Sequence, residues 1–220
     1  MALILGIDSC SRWTNVGLLE NGKLLGETNM NIGRKQASIL PGLVEELFEC
    51  CQRKYKQLDS IAVTSGPGYF TGIRIGMTYA ASFAEALDIT LIPVSSLETL
   101  VPISHPGNQP ALSVIPNGKK RVFGVIYEVT GENYQGFFSS PSIYYPEQLT
   151  EYIRKLGTDI PCYTSEPDIA ENILSDTGLK NFVFSISSGL NVSMKGYSKL
   201  AEARSPSLVS PVYLAPPQTG

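Results

Sequence analysis

The stretch GPGYFTGIRIG, residues 66–76, is the most informative part of this 220-residue chain. It follows residues 61–65, which begin with the apolar run Ile61–Val63 and are predicted to form a buried strand. Gly66 and Gly68 permit positive φ angles and Pro67 fixes φ between them, which predicts a tight structural turn where the strand ends. The stretch lacks the Gly-Lys-Ser/Thr ending of a P-loop, so it does not predict a nucleotide grip by itself.

Beyond the turn, the sequence predicts a helix from about residue 71 to residue 87, with Thr71 as a suitable N-cap. Small residues recur at every fourth position on one face of this helix, namely Gly72, Gly76, Ala80 and Ala84. Such a row lets another helix backbone approach closely. Glycine inside a helix costs about 1 kcal/mol relative to alanine, so the row needs a reason.

Two interpretations of the row stay open on the residues alone. In the first, the row packs inside the chain, against the preceding helix predicted at residues 38–51 or against the sheet. In the second, it is a partner interface, and a bulky residue at Gly76 or Ala80 then breaks a complex while leaving the chain folded. The residues predicted for that interface are Gly72, Arg74, Gly76, Ala80 and Ala84, with Leu43 and Leu47 of the preceding helix.

Composition and charge indicate a cytoplasmic protein. The net charge is −3, and the one short basic run, residues 119–121, is interpreted as a solvated turn. Contact with nucleic acid is therefore expected only through a partner. The cysteines, Cys10, Cys50, Cys51 and Cys162, form no C-x-x-C pair and suit a reducing compartment. The apolar residues 1–7 are too short for a signal peptide, and no run is long enough to span a membrane.

The order of predicted elements indicates an α/β protein with two subdomains. Residues 2–28 read as a three-stranded meander, followed by helix, strand, helix, strand and a short helix. A Pro/Gly-rich loop at residues 105–110 is the predicted boundary. The subdomains are then residues 1–104 and 105–220, with the last helix, predicted at residues 193–203, and the tail packing back on the first.

Two kinds of catalytic site find little support. A metallopeptidase needs several ligands at defined spacing, and the chain has a single histidine, His105. A serine or cysteine nucleophile would need that histidine as its base, and no G-x-S-x-G elbow occurs. His105 is expected to be a surface residue of its loop.

The glycine stretch closely resembles the signature GPGSFTGLRIG of the TsaB (YeaZ) family. The opening ILGIDSCSRWTNVGLLENGKLL, the segment Ser38–Pro41 and the segment Pro211–Leu214 are also similar to that family. The resemblance implies an actin/Hsp70/sugar-kinase-like, ribonuclease H-like fold with mixed sheets, in a glycoprotease-like superfamily but without the metal site.

The resemblance also implies a function. TsaB proteins are non-catalytic partners of a TsaD-like enzyme in the threonylcarbamoyl modification of tRNA adenosine 37, joined by a TsaE-like ATPase. The helix that carries the signature is expected to dimerise with TsaD or with a second copy of the chain. No cofactor is expected for this chain itself, because ATP is used by the complex.

A nucleotide-binding alternative from the same superfold remains. The loop after the first strand occupies the place of the superfamily's first phosphate loop, and Asp8 and Ser9 are its weak candidates for nucleotide or Mg²⁺ contact. Cys10 stands where glycine is usual. The alternative interpretation is that Asp8 is a strand-end residue that holds the turn.

Overall fold

The computed structural model describes residues 2–106, 109–130, 133–137 and 139–214. The chain divides into two compact units. Unit 1 joins Met1–Thr99 with Ser187–Tyr213, and unit 2 contains Leu100–Ile186. The boundary lies at residue 99 rather than at the predicted residue 104. Residues 187–213, which the sequence assigns to the second subdomain but predicts to pack back on the first, belong to unit 1, and their helix packs on its sheet.

Unit 1 is built on a mixed sheet with the strand order β3-β2-β1-β4-β5. Strands β1 to β3 form an antiparallel meander, and β4 and β5 run parallel to β1. The described strands of this sheet are β1 (Leu3–Asp8), β2 (Trp13–Glu20), β3 (Lys23–Asn31), β4 (Ser60–Thr64) and β5 (Thr90–Val94). Residues 3–8 and 60–64 are buried throughout, as the apolar residues at the centre of each segment predict for central strands.

Helices cover both faces of this sheet. The helices α1 (Gln36–Cys50) and α2 (Phe70–Leu87) share one apolar core with Leu5 and Ile7 of β1. The opposite face, which carries Ile4, packs on α6 (Gly189–Ser198). The short helix α3 (Ser96–Leu100) follows β5.

Several predicted helix ends are corrected. Helix α1 begins at Gln36, and the Ser38 hydroxyl donates to the Lys35 carbonyl within the first turn rather than capping the helix. Helix α2 begins at Phe70, so Thr71 is not its N-cap. The last helix begins at Gly189 instead of residue 193, because the Ser188 hydroxyl accepts from the Asn191 amide and caps it.

Unit 2 holds a second mixed sheet, with the order β11-β10-β6-β7-β8 and β9 paired to β7. Its apolar core combines Leu112, Val114 and Ile126 of the sheet with Leu149 and Leu174 of the helices. The described elements of unit 2 after α3 are β6 (Ala111–Pro116), β7 (Val122–Thr130), β8 (Asn133–Phe137), β9 (Ser142–Tyr144), α4 (Pro146–Leu156), β10 (Cys162–Thr164), α5 (Pro167–Leu174) and β11 (Phe182–Phe184). Strand β9 was not expected from the sequence, because three residues are too few to show a periodicity.

Candidate functional site

The glycine-proline-glycine turn is a packed structural element of unit 1. Gly66 has φ +111°, which a residue with a side chain rarely adopts, and a Cβ there would meet the Val212 carbonyl oxygen. The Val212 amide donates to the Ser65 carbonyl over 2.7 Å, and the Ser96 amide donates to the Gly66 carbonyl over 3.0 Å. The turn is therefore covered by the C-terminal segment of unit 1.

The same turn also closes onto the loop after β1. The Tyr69 amide donates to the Cys10 carbonyl over 2.7 Å, and a Cβ on Gly68 would overlap that carbonyl oxygen. One turn further, a Cβ on Gly72 would overlap the Ser9 carbonyl oxygen, and a Cβ on Gly76 would overlap the Ser9 hydroxyl. Gly68 and Gly72 are required because their backbone touches the backbone of the loop, and Gly76 leaves room for the Ser9 hydroxyl.

The small-residue row lies inside unit 1. Ala80 and Ala84 are fully buried in the core that also contains Leu43 and Leu47. The prediction that these four residues, with Gly72 and Gly76, form a partner interface is corrected, because each is buried within the unit. Of the predicted interface residues only Arg74 is exposed, and its guanidinium lies 4.5 Å above the centre of the Phe70 ring.

Asp8 lies at the centre of a buried polar cluster. Its carboxylate is 1 % exposed and accepts from the Thr64 hydroxyl over 2.7 Å, the Cys10 amide over 3.2 Å and the Asn15 side-chain amide over 3.0 Å. Burial raises the pKa of Asp8, and the three hydrogen bonds oppose that rise. Both carboxylate oxygens are therefore used by donors of the chain itself.

The neighbours of Asp8 are equally engaged. The Ser9 hydroxyl donates to the Gly72 carbonyl over 2.8 Å. Burial raises the pKa of the Cys10 thiol to about 12, so it is not a nucleophile at neutral pH. Asp8 and Ser9, the weak candidates for nucleotide contact, thus lie together. Their side chains form hydrogen bonds that join the loop to β4 and α2.

The sequence alone did not single out Gln36, the residue that holds this loop. Its side-chain amide nitrogen lies within 3.1 Å of the carbonyl oxygens of Ser9, Ser11 and Trp13. Gln36 is buried at the start of α1, so one side chain fixes the loop against that helix. Gln36 lies two residues before the predicted helix start at residue 38, so the sequence pattern carried no signal for its role.

His105 belongs to unit 2 and is buried, so the prediction of a surface histidine is wrong. Its Nδ1 is 2.8 Å from the Tyr163 hydroxyl, and its Nε2 is 3.1 Å from the Gln109 carbonyl oxygen. Both ring nitrogens are hydrogen-bonded, which explains why the ring is accommodated inside the unit. Among the described residues, no three His, Cys, Asp or Glu side chains group as metal ligands would.

The outer face of α1 and α2 is the side of these helices turned to solvent. It carries a half-buried aromatic strip, in which the Tyr79 and Phe83 rings lie 5.8 Å apart and Phe83 also contacts Tyr55. Burial raises the pKa of Tyr79 to about 12, with Tyr55 and Glu45 adding smaller contributions. The exposed residues of these two helices include Glu45, Glu46, Glu49, Arg74, Thr78, Ser82 and Glu85.

No helix within the described ranges is long and apolar enough to cross a bilayer.

The mixed, helix-flanked sheets define the class of this protein: it has the actin/Hsp70/sugar-kinase-like fold, as the sequence predicted. A ROK hexokinase from Thermus thermophilus has a TM-score of 0.50 at 9% identity, covering 91% of this chain and 99% of that chain. A Pseudomonas aeruginosa protein described as similar to the peptidase YeaZ has a TM-score of 0.84 at 22% identity, covering 98% of this chain and 100% of that chain. At these identities the likeness shows the fold alone.

The family follows from sequence. A family model described as "TsaD: tRNA N6-adenosine threonylcarbamoyltransferase" matches residues 31–201, and the chain belongs to this family. The tRNA threonylcarbamoyladenosine biosynthesis protein TsaB of Bacillus subtilis (strain 168) is 35% identical over 97 residues, which are 44% of this chain and 42% of that protein. The match thus spans about two fifths of that relative's length, and the resemblance to TsaB is confirmed.

Proposed function

We propose that this chain is an accessory subunit for the threonylcarbamoyl modification of adenosine 37 in tRNA. In this role it works in the cytoplasm, docks on a TsaD-like enzyme and activates it. A TsaE-like ATPase joins the pair, ATP is used by the complex, and the chain needs no cofactor of its own. The tRNA is bound by the complex rather than by this chain alone.

One observation carries the accessory role: Asp8, at the end of β1, is enclosed by hydrogen bonds from the chain itself. An enzyme of this fold needs a carboxylate that a metal-bound nucleotide can reach. Asp8 instead accepts three internal hydrogen bonds and is 1 % exposed. Gly68 and Gly72 press the neighbouring backbone against the loop that follows Asp8. This arrangement favours a structural role for Asp8 over a catalytic one.

For docking we propose the outer face of α1 and α2. The buried small-residue row still contributes, because it lets α2 lie close to the loop and fixes the position of the exposed residues. The half-buried Tyr79 and Phe83 offer apolar area at the centre of the face, and such aromatic side chains often dominate binding energy. A second copy of the chain is a competing occupant of the same face.

The variant Asp8→Asn tests whether Asp8 has a catalytic role. The chain is depleted from its own organism, and the modified nucleoside is measured by mass spectrometry of total tRNA after complementation. We expect depletion to abolish the modification and Asp8→Asn to restore it to at least half of the wild-type level. A catalytic Asp8 predicts a loss of at least 100-fold, on the order of 3 kcal/mol of barrier.

The docking question is tested with Thr78→Arg/Ser82→Arg, which places two bulky charges beside the aromatic strip. We expect this variant to stay folded and to lose the TsaD-like enzyme in co-purification from the native cytosol. Lys23→Glu, an exposed change on β3, is the control and should retain the partner. Retention of the enzyme by the double variant would exclude this face.

A further inference from the structure

The cations of unit 2 are unevenly placed. Of the six lysines and arginines between residues 100 and 186, three are consecutive, Lys119, Lys120 and Arg121, although the whole chain has a net charge of −3. Lys119 and Lys120 are exposed and Arg121 is half-buried. No ion pair within the described ranges neutralises any of the three. We call these three residues the basic tip.

The basic tip is held on a well-paired hairpin. Strands β6 and β7 pair without interruption from Ala111 opposite Tyr127 to Pro116 opposite Val122. The Asn117 amide then donates to the Arg121 carbonyl over 2.9 Å, and Gly118 takes φ +76° to close the turn. The three cations therefore project from a fixed turn at one end of the sheet.

An exposed aromatic side chain lies at the same end. Tyr144 of β9 pairs with Val122, the first residue of β7. Because the two strands are antiparallel, the next residue, Tyr145, lies beside Arg121 at the end of the turn. Tyr145 is 48% exposed, although Tyr144 before it is buried. Cations together with an exposed aromatic ring are the combination that contacts phosphates and stacks on bases in nucleic-acid-binding proteins.

We propose that the basic tip contacts the phosphate backbone of RNA and that Tyr145 stacks on one of its bases. That this RNA is the tRNA of the modification complex rests on the proposed function. Three unneutralised cations on one turn repel each other, and a polyanion relieves this repulsion while releasing counterions. Three phosphate contacts are too few for tight binding by the chain alone, so the tip adds affinity and orientation to a tRNA that the complex already holds.

The test compares two triple variants with equal loss of charge. Lys119→Gln/Lys120→Gln/Arg121→Gln removes the tip, whereas Arg154→Gln/Lys155→Gln/Lys180→Gln removes the other three cations of the unit, which are also exposed. Binding of tRNA to the complex of full-length chain and TsaD-like enzyme is measured between about 50 and 200 mM salt. We expect the tip variant to lose about tenfold in affinity and the salt slope to fall in magnitude by about 2. The control variant should bind like the wild type.

Each contrary outcome has a separate meaning. If both variants form the complex and bind tRNA with equal affinity and equal salt slope, the proposed RNA contact of the basic tip is overturned. Loss of the TsaD-like enzyme from the tip variant also overturns it, because the tip would then be a protein contact. If even the wild-type chain forms no complex, the proposed function fails. The same variants are then compared for the weak binding of tRNA by the chain alone at about 20 mM salt, where only the tip variant should lose binding. Equal binding by all three proteins, or none by the wild type, overturns the proposed RNA contact.

Discussion

The Ser9 hydroxyl donates a 2.8 Å hydrogen bond to the carbonyl oxygen of Gly72, so the loop after the first strand is joined to the first turn of helix α2. A carbonyl in the first turn of a helix normally accepts from the amide four residues later. Here it also receives a hydroxyl, which is possible because glycine leaves the space that Ser9 fills. This contact connects the buried Asp8 cluster to the helix proposed for docking.

Replacement of Gly72 by alanine should destabilise the monomer. The new Cβ would overlap the Ser9 carbonyl oxygen, and overpacking against backbone typically costs about 1–3 kcal/mol. The matched control is Gly42→Ala in helix α1, where a Cβ meets no atom within 4 Å and should stabilise by up to about 1 kcal/mol. Urea unfolding of the two variants measures the difference, and similar midpoints would contradict the close contact.

Asp8→Asn should change the dependence of stability on pH. Burial raises the pKa of Asp8 in the folded state, so between its ordinary value of 3.8 and the raised value the folded chain binds more protons than the unfolded chain. Stability contributed by this group is therefore greatest at low pH and is lost as the pH rises through that window. The wild type should lose stability there relative to Asp8→Asn, as measured by urea unfolding from pH 4 upward.

The Asp8→Asn variant should also fold at neutral pH, within about 1 kcal/mol of the wild type. The side-chain oxygen of Asn15 is buried without a partner, so a flipped Asn15 amide can accept from the new amide nitrogen. A wild-type curve that runs parallel to that of Asp8→Asn at every pH would refute the raised pKa.

Gly17→Ala should loosen helix α6 from the sheet. The Cβ would overlap the backbone of Gly189, where strand and helix are in direct contact. A loss of about 2 kcal/mol and faster hydrogen exchange in residues 189–198 are expected. The control is the strand glycine Gly124, whose Cβ would make only an ordinary contact, 3.4 Å from the Tyr144 ring. Unchanged exchange in α6 would show that the helix can shift at little cost.

Tyr163→Phe should destabilise unit 2 through His105. The Tyr163 hydroxyl is the partner of His105 Nδ1, and removing it leaves a buried ring nitrogen without a hydrogen bond. Such a loss typically costs about 1–3 kcal/mol. Tyr145→Phe, at an exposed position, should cost under about 0.5 kcal/mol. Thermal unfolding compares the two, and equal midpoints would mean that the His105 hydrogen bond contributes nothing.

The strands of unit 1 were predictable because their signals are local. The apolar residues at the centres of β1 and β4 identify these strands, and Asn21-Gly22 identifies the β2–β3 hairpin. The turn at residues 66–68 was also predictable, because glycine permits backbone angles that other residues avoid and proline fixes φ. These features depend on residues close together in the chain.

The sequence could not show which part of the molecule the small-residue row packs against. Small residues at helical spacing indicate close packing, but they do not identify the neighbour. Ser9, the residue that fills the space at Gly72 and Gly76, is more than 60 positions away in sequence. The burial of His105 likewise depends on Tyr163, in a distant strand. Long-range contacts of this kind carry no periodic signal.

Along the chain, residues 100–186 of unit 2 stand between the two segments of unit 1. This sequence order sets the order in which the parts can fold during synthesis. All of residues 100–186 leave the ribosome before Gly189, so unit 2 can fold while one face of the first sheet still lacks α6. During this interval Gly6 and Gly17 leave a bare strip of backbone on that face. The nascent chain is therefore most exposed to misassembly and chaperone binding after unit 2 has emerged and before helix α6, Gly189–Ser198, follows it.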